Sequence, residues 1–147
     1  MCSSDLCGNV AGNLWDYGRK SGYGYVLSND SAVVTERDPD TVRGPDVCFY
    51  SHARWPRADV DKGLPPVPPD LAVEVVSPGN RAGEISTKIA EYQAVGTLLV
   101  WVIYPKSRTV VIYRLDDEPP AVLRDDAVIE NLPELPGFRC PVADFFV

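Results

Sequence analysis

The sequence predicts a mixed α+β domain in which helices flank a central mixed sheet. Residues 71–76 and 98–104 are short apolar segments rich in Val, Leu and Ile, as expected of buried strands. Residues 81–95, which separate them, carry apolar side chains at helical spacing. A strand, a helix and a second strand in this order usually form a right-handed parallel crossover, so both strands are expected in one sheet.

The first third of the chain predicts a helix followed by three strands. Val10, Leu14 and Tyr17 recur at helical spacing, and Gly22 is placed to end that helix. Two short strands are predicted at 23–27 and 32–35, joined by the polar turn SNDS, and a third at 47–50. The five prolines of residues 51–69 predict a loop, whose length is more typical of functional loops than of simple connections.

The second half of the chain predicts a helix, a hairpin and a tail that returns to the sheet. Gly96 is placed as the C-terminal cap of the helix at 81–95. One face of this helix is apolar and is formed by Ile85, Ile89 and Tyr92. The turn PKSR joins the strand at 98–104 to a strand at 109–115. The apolar side chains near the C-terminus, which include those of the final ADFFV, are expected to pack on the sheet.

Length and composition indicate one globular domain with an ordinary core. The chain has 147 residues, enough to form a core without disulfides or metals. Its four cysteines include no C-x-x-C pair, which argues against a zinc site and for a reducing, cytoplasmic setting. No apolar run is long enough to span a membrane. Residues 1–8 are expected to be a non-native or disordered leader, and residues 9–147 the domain.

The net charge of −7 argues against tight non-specific binding of nucleic acid, since phosphate contacts dominate such binding. It does not exclude a nuclease, because bound metal ions can supply positive charge locally.

The most informative segment is PDLAVEVVSP, residues 69–78, which places Asp70 and Glu74 at the two ends of an apolar strand. Glu74 lies among side chains that a sheet would bury, where a carboxylate is costly. Such a residue needs a metal, a lysine or a hydrogen-bond network to compensate its charge. A second Pro-Asp pair places Asp46 just before the strand at 47–50. Pro-Asp is also common in turns, so a purely structural role is the alternative for Asp46 and Asp70.

If the strands that carry Asp46 and Glu74 are neighbours, the two carboxylates converge at one end of the sheet. Proteins usually hold Mg²⁺ in this way, with water and substrate phosphate as the other ligands. Lys88 lies at the border of the sheet-facing side of its helix, from which its amine can reach the strand ends. The alternative is a surface ion pair between Glu84 and Lys88, four residues apart.

The chain contains, in this order, the motifs RGPDV, PDLAVEVVSP, the K-x-x-x-Y of Lys88 and Tyr92, LLVWVIYP, VVIYRL, and PGF followed by ADFF. This ordered series resembles the Uma2 family of the PD-(D/E)XK restriction-endonuclease-like superfamily. The resemblance implies a restriction-endonuclease-like αβββαβ core and a DNA endonuclease that depends on Mg²⁺ or Mn²⁺. Family members carry a longer N-terminal region with an acidic residue, so the domain is expected to be N-terminally truncated.

The resemblance also implies roles for individual residues. Asp46 and Glu74 would be the metal ligands and, with Lys88, the catalytic residues. The E-x-K of the superfamily reads Glu-Val-Val here, so Lys88 of the helix would take over the role of the missing lysine. Asp70 would be a further ligand or a strand cap, and Tyr92 would assist.

Two functions are therefore expected from the sequence. One is a metal-dependent endonuclease with DNA as its substrate, for which a homodimer would suit cleavage of both strands. The other is a degenerate nuclease fold that acts as a nucleic-acid or protein binding module. Convergence of Lys88 with Asp46 and Glu74 favours the enzyme, whereas a Lys88 side chain that points to solvent favours the module.

Overall fold

The computed structural model describes residues 3–28, 33–36, 41–62, 65–116 and 119–147, and these residues form two helices and ten strands. The elements are α1 (Ser3–Ser21), β1 (Gly24–Ser28), β2 (Val33–Glu36), β3 (Thr41–Arg43), β4 (Val47–Ser51), β5 (Leu71–Val75), α2 (Ala82–Ala94), β6 (Leu99–Tyr104), β7 (Thr109–Arg114), β8 (Ala121–Leu123), β9 (Val128–Ile129) and β10 (Cys140–Pro141). Short 3₁₀ helices cover Arg57–Lys62 and Val142–Phe146.

Six strands form the central sheet in the order β1-β4-β5-β6-β7-β8. Strands β5 and β6 are parallel, and every other neighbouring pair is antiparallel. The crossover predicted around α2 is thus confirmed. All five residues of β5 are buried, because helices or the C-terminal segment cover both faces of the sheet.

The predicted αβββαβ core is also confirmed, and it is formed by α1, β1, β4, β5, α2 and β6. The hairpin of β2 and β3 is inserted between the first and second strands of this core. Strand β3 has three residues and shows too little alternation to be predicted. The strands predicted at 23–27 and 32–35 do not pair with each other, because β1 pairs with β4 and β2 with β3. Most of the polar turn predicted between them lies outside the described residues.

Different elements pack on the two faces of the sheet. On one face, α1 and the C-terminal segment pack against Leu71, Val73 and Val75 of β5, and Phe145 belongs to this core as the sequence predicts. On the other face, α2 packs on the sheet through the three apolar side chains predicted for it, Ile85, Ile89 and Tyr92. No helix among the described residues is both long and apolar enough to cross a membrane.

Helix α1 begins at Ser3, inside the segment that was expected from the sequence to be a leader. Leu6 is fully buried in the core, four residues before Val10, so the helical spacing of apolar residues extends toward the N-terminus. The helix lies close to β1. A Cβ atom on Gly18 would lie 2.4 Å from the carbonyl oxygen of Gly24, so only glycine permits this approach. Gly22 ends the helix with a φ of 69°, as predicted.

Leu6→Ala is expected to lower the free energy of unfolding by about 2–5 kcal/mol, because it leaves a cavity where α1 packs on the sheet. Val122→Ala is the matched control, since Val122 is exposed on the edge strand β8 and its truncation should change stability by less than about 0.5 kcal/mol. Urea denaturation followed by circular dichroism measures both. Equal stability of the two variants would show that residues 3–8 lie outside the folded domain.

Candidate active site

Asp46 and Glu74 face each other across the neighbouring strands β4 and β5. Val47 is paired with Val73, so the next residues of the register are Asp46 and Glu74. The Asp46 N–H donates to the Val73 carbonyl at 3.0 Å, and Asp46 Oδ2 accepts from the Val75 N–H at 2.7 Å. The backbone of β5 therefore holds the Asp46 carboxylate beside Glu74, as the sequence predicts for adjacent strands.

Glu74 is only 4% exposed and lies on the face of the sheet that α2 covers. The Tyr92 hydroxyl donates a 2.6 Å hydrogen bond to Glu74 Oε1. Lys88 Nζ lies 3.5 Å from Glu74 Oε2. Lys88 and Tyr92 are one turn apart on α2, so the same helix face supplies a hydroxyl to one carboxylate oxygen and an ammonium to the other.

The alternative ion pair between Glu84 and Lys88 is not formed. Lys88 pairs with Glu74 and its side chain is 27% exposed, so the aliphatic stem is largely covered while the amine reaches the end of the strand. Glu84 instead accepts long, 3.5 Å hydrogen bonds from the Asn80 side chain and the Arg81 N–H at the start of α2. Lys88 thus belongs to the cluster around Glu74.

Burial raises the pKa of the Glu74 carboxyl above its ordinary value. The Tyr92 hydrogen bond and the Lys88 charge oppose this rise, and the Asp46 charge adds to it. Burial and the nearby Glu74 charge raise the pKa of Tyr92, so its hydroxyl remains a neutral donor at physiological pH. The cluster therefore fixes the position of the Glu74 side chain, although ionising its carboxyl group still requires more free energy than it would in water.

A cavity of about 730 Å³ opens at this end of the strands. Asp46, Glu74 and Lys88 all line it, together with Ser77 and Asn80 from the turn that follows β5. The Ser77 N–H and hydroxyl are both within hydrogen-bond distance of Asn80 Oδ1, at 2.9 and 3.0 Å, so the turn is closed by its own side chains. The structure thus brings three of the predicted site residues to one polar cavity.

Helix α1 forms another part of the cavity wall. Its lining residues are Ser4, Cys7, Gly8 and Ala11. The sequence did not indicate this contribution, because residues 1–8 were expected to lie outside the domain. The signal that could have found it is the spacing of Leu6 and Val10, which continues the apolar face of the helix by one turn.

The described side chains around the cavity limit how many protein ligands a metal ion could have there. Nowhere in the described part of the chain do three or more His, Cys, Asp or Glu side chains form a group that could hold a metal ion. Asp46 and Glu74 offer two carboxylates. This donor set fits Mg²⁺ or Mn²⁺, since Mg²⁺ usually binds one or two carboxylates and completes its octahedron with water and substrate phosphate.

Asp70 lies at the opposite end of β5, about 13 Å from Glu74 along the strand, and does not line the cavity. Its Oδ2 accepts from the Ser51 N–H at 2.6 Å, and its Oδ1 lies 3.6 Å from Arg54 Nε. Arg54 also donates to the carbonyl oxygens of Pro68 and Gly96. Asp70 therefore ties the loop after β4 to the start of β5. The sequence did not indicate Arg54 as its partner.

The comparisons with known proteins agree with this fold. The sequence model of the family Uma2, described as "Putative restriction endonuclease", matches residues 3–143. The chain belongs to the Uma2 family. A comparison with curated protein sequences found no match.

This Uma2 chain is similar to a solved structure from Anabaena variabilis, described as a "putative nuclease belonging to DUF820". The TM-score is 0.78 at 19% sequence identity, and the similarity covers 97% of this chain and 79% of the other. At this identity the likeness shows that the two share a fold.

Asp70→Ala is expected to lower the free energy of unfolding by about 3 kcal/mol, because it leaves the Arg54 guanidinium and the Ser51 N–H without their buried acceptor. Asp125→Ala is the matched control, since it breaks an exposed ion pair with Arg108 and should cost at most about 1 kcal/mol. Urea denaturation measures both variants. Equal losses would contradict the tie between the loop and β5.

Glu74→Gln is expected to change how stability depends on pH. Because the pKa of Glu74 is higher in the folded state than in the unfolded chain, its contribution is fully present below its ordinary pKa and is lost as pH rises through the raised value. The wild type should therefore lose unfolding free energy relative to Glu74→Gln as the pH rises above 4.5, the ordinary pKa of the carboxyl. Urea denaturation of both proteins across this range tests the sign, and a constant or opposite difference would contradict it.

Proposed function

We propose that this chain is a metal-dependent endonuclease that hydrolyses phosphodiester bonds in DNA. The observation that carries the proposal is the convergence of Asp46, Glu74 and Lys88 on one polar cavity at the end of two neighbouring strands. The family description and the nuclease-like fold support the same class of reaction.

In this proposal Asp46 and Glu74 would hold Mg²⁺ or Mn²⁺. A metal held there would supply a lower pKa for the attacking water and positive charge against the phosphate. The Val75 N–H fixes one oxygen of Asp46, and the Tyr92 hydroxyl fixes one oxygen of Glu74. Each carboxylate is thus oriented before substrate arrives, and each oxygen retains a further lone pair for a ligand.

Lys88 supplies the positive charge of the site from the chain itself. Its ammonium lies 3.5 Å from Glu74 and lines the cavity, where it can stabilise charge that develops on the phosphate oxygens or orient the attacking water. Val76, which stands where the superfamily motif has lysine, packs instead against the core beneath α2. The helix therefore delivers to Glu74 the amine that the strand lacks.

A reducing compartment such as the cytoplasm fits this chain, since Cys7, Cys48 and Cys140 form no disulfide within the described residues. Cleavage of both DNA strands would require two such sites, for which a homodimer is the simplest arrangement.

The second candidate function is a degenerate fold that binds nucleic acid or protein without cleaving. The net charge of −7 favours it, and so does the pair of carboxylates, Asp46 and Glu74, that are the only two among the described residues lining the cavity.

Cleavage of supercoiled plasmid DNA tests the proposal. The purified chain should nick the plasmid with Mg²⁺ or Mn²⁺ and not in EDTA. Asp46→Asn, Glu74→Gln and Lys88→Ala should each slow nicking by about 100-fold or more, because each removes a group that acts on the metal or on the phosphate. The Asp126→Asn variant, which alters an exposed carboxylate, should cleave at the wild-type rate.

The outcomes separate the two candidate functions. Metal-dependent nicking that the three site variants lose and Asp126→Asn keeps supports the nuclease. A folded wild type that binds DNA without nicking it, at any concentration of Mg²⁺ or Mn²⁺, contradicts the nuclease and supports the binding module.

A further inference from the structure

Trp15 is an exposed aromatic side chain on the surface of α1. It is 44% exposed, and the guanidinium carbon of Arg19 lies 4.9 Å from the centroid of its ring. The other two tryptophans, Trp55 and Trp101, are buried. An exposed tryptophan next to an arginine is unusual for a surface that contacts only water, since both side chains are typical of binding interfaces.

This pair lies on the same face of α1 as the residues that line the candidate active site. Ser4, Gly8 and Ala11 line the cavity, and Trp15 and Arg19 follow at intervals of four residues. Side chains at this spacing lie on one face of a helix. At 1.5 Å per residue, Trp15 is about 6 Å and Arg19 about 12 Å beyond Ala11 along the helix axis. The surface of α1 therefore continues directly from the cavity to the pair.

Arg19 is available for an anionic ligand. It has no ion pair with an acidic side chain of the described residues, whereas Arg43, Arg108 and Arg139 each pair with a carboxylate. A guanidinium stacked on an aromatic ring keeps the N–H groups at its edge free to donate to phosphate oxygens. In a chain with a net charge of −7, Arg19 places a positive charge on the face of α1 that lines the cavity nearer its N-terminus.

We propose that Trp15 and Arg19 bind an unpaired stretch of the DNA strand whose scissile phosphate lies in the cavity. Trp15 stacks on a base and Arg19 contacts a phosphate of the same strand. The proposal rests on the proposed nuclease function and adds the class of substrate to it. An isolated exposed ring favours unpaired nucleotides, because the bases of a duplex are already stacked on each other, whereas single strands bind proteins through such aromatic platforms.

Fluorescence anisotropy of a labelled oligothymidylate, in EDTA so that nothing is cleaved, tests the pair. Trp15→Ala should weaken binding about tenfold, as expected for the loss of one stacked base. Arg19→Ala should reduce the slope of log affinity against log salt by about 0.7, the value for one phosphate contact of a single strand. Trp15→Phe should retain most of the affinity. Arg124→Ala, an exposed arginine at the other edge of the sheet, is the matched control and should leave both quantities unchanged.

Tryptophan fluorescence gives a second, direct readout. Because Trp15 is exposed while Trp55 and Trp101 are buried, quenching by oligothymidylate should arise from Trp15. The quenching should therefore vanish in Trp15→Phe, even though this variant still binds. A blunt duplex of the same length should bind more weakly and quench less.

The results distinguish this surface from the nuclease itself. If Trp15→Ala and Arg19→Ala bind the oligothymidylate with wild-type affinity while the chain still nicks plasmid DNA, the proposed binding role of this surface is wrong and the nuclease proposal stands. Stronger binding of the duplex than of the single strand would overturn the choice of unpaired DNA. If the wild type neither binds the oligonucleotide nor nicks plasmid DNA, both the binding role of this surface and the proposed nuclease function are wrong.

Discussion

The burial of one carboxylate determines the arrangement of this end of the molecule. An ionised Glu74 in a strand covered on both faces would cost several kcal/mol without partners. Tyr92 and Lys88 provide these partners from consecutive turns of α2. The helix can place them there because the parallel crossover from β5 to β6 lays α2 across the sheet. Asp46 joins them because β4 is the other neighbour of β5.

The acids at the two ends of β5, Asp70 just before it and Glu74 within it, show how similar sequence contexts serve different purposes. Asp70, at the start of the strand, binds a backbone N–H and an arginine that together tie down a loop. Glu74, at the other end, has a hydroxyl and an amine as partners and faces a cavity with a second carboxylate beside it. Both acids have a partner at each carboxylate oxygen and are nearly equally buried, so the difference between them is that Glu74 lines the polar cavity and Asp70 does not.

Much of the fold could be predicted from the sequence, because the apolar patterns of α1, β5, α2 and β6 are strong and local. The position of Asp46 beside Glu74 was predicted on the condition that their strands are neighbours, which the pairing of β4 with β5 fulfils, and the position of Lys88 was predicted from helical spacing. The cavity wall formed by residues 4–8 was missed, because that helical turn carries a single core residue, Leu6. The ion pair of Asp70 with Arg54 was also missed, since it joins a strand to an irregular loop whose path no periodicity describes.

The proposed metal site is tested most directly by isothermal titration calorimetry of the purified chain with Mn²⁺ in the absence of DNA. The wild type should bind one Mn²⁺ per chain, and Asp46→Asn and Glu74→Gln, with unchanged circular dichroism spectra, should show no binding at the same concentrations. Equal binding by all three proteins would contradict the assignment of these two carboxylates as the metal site, and with it the proposed role of the cavity.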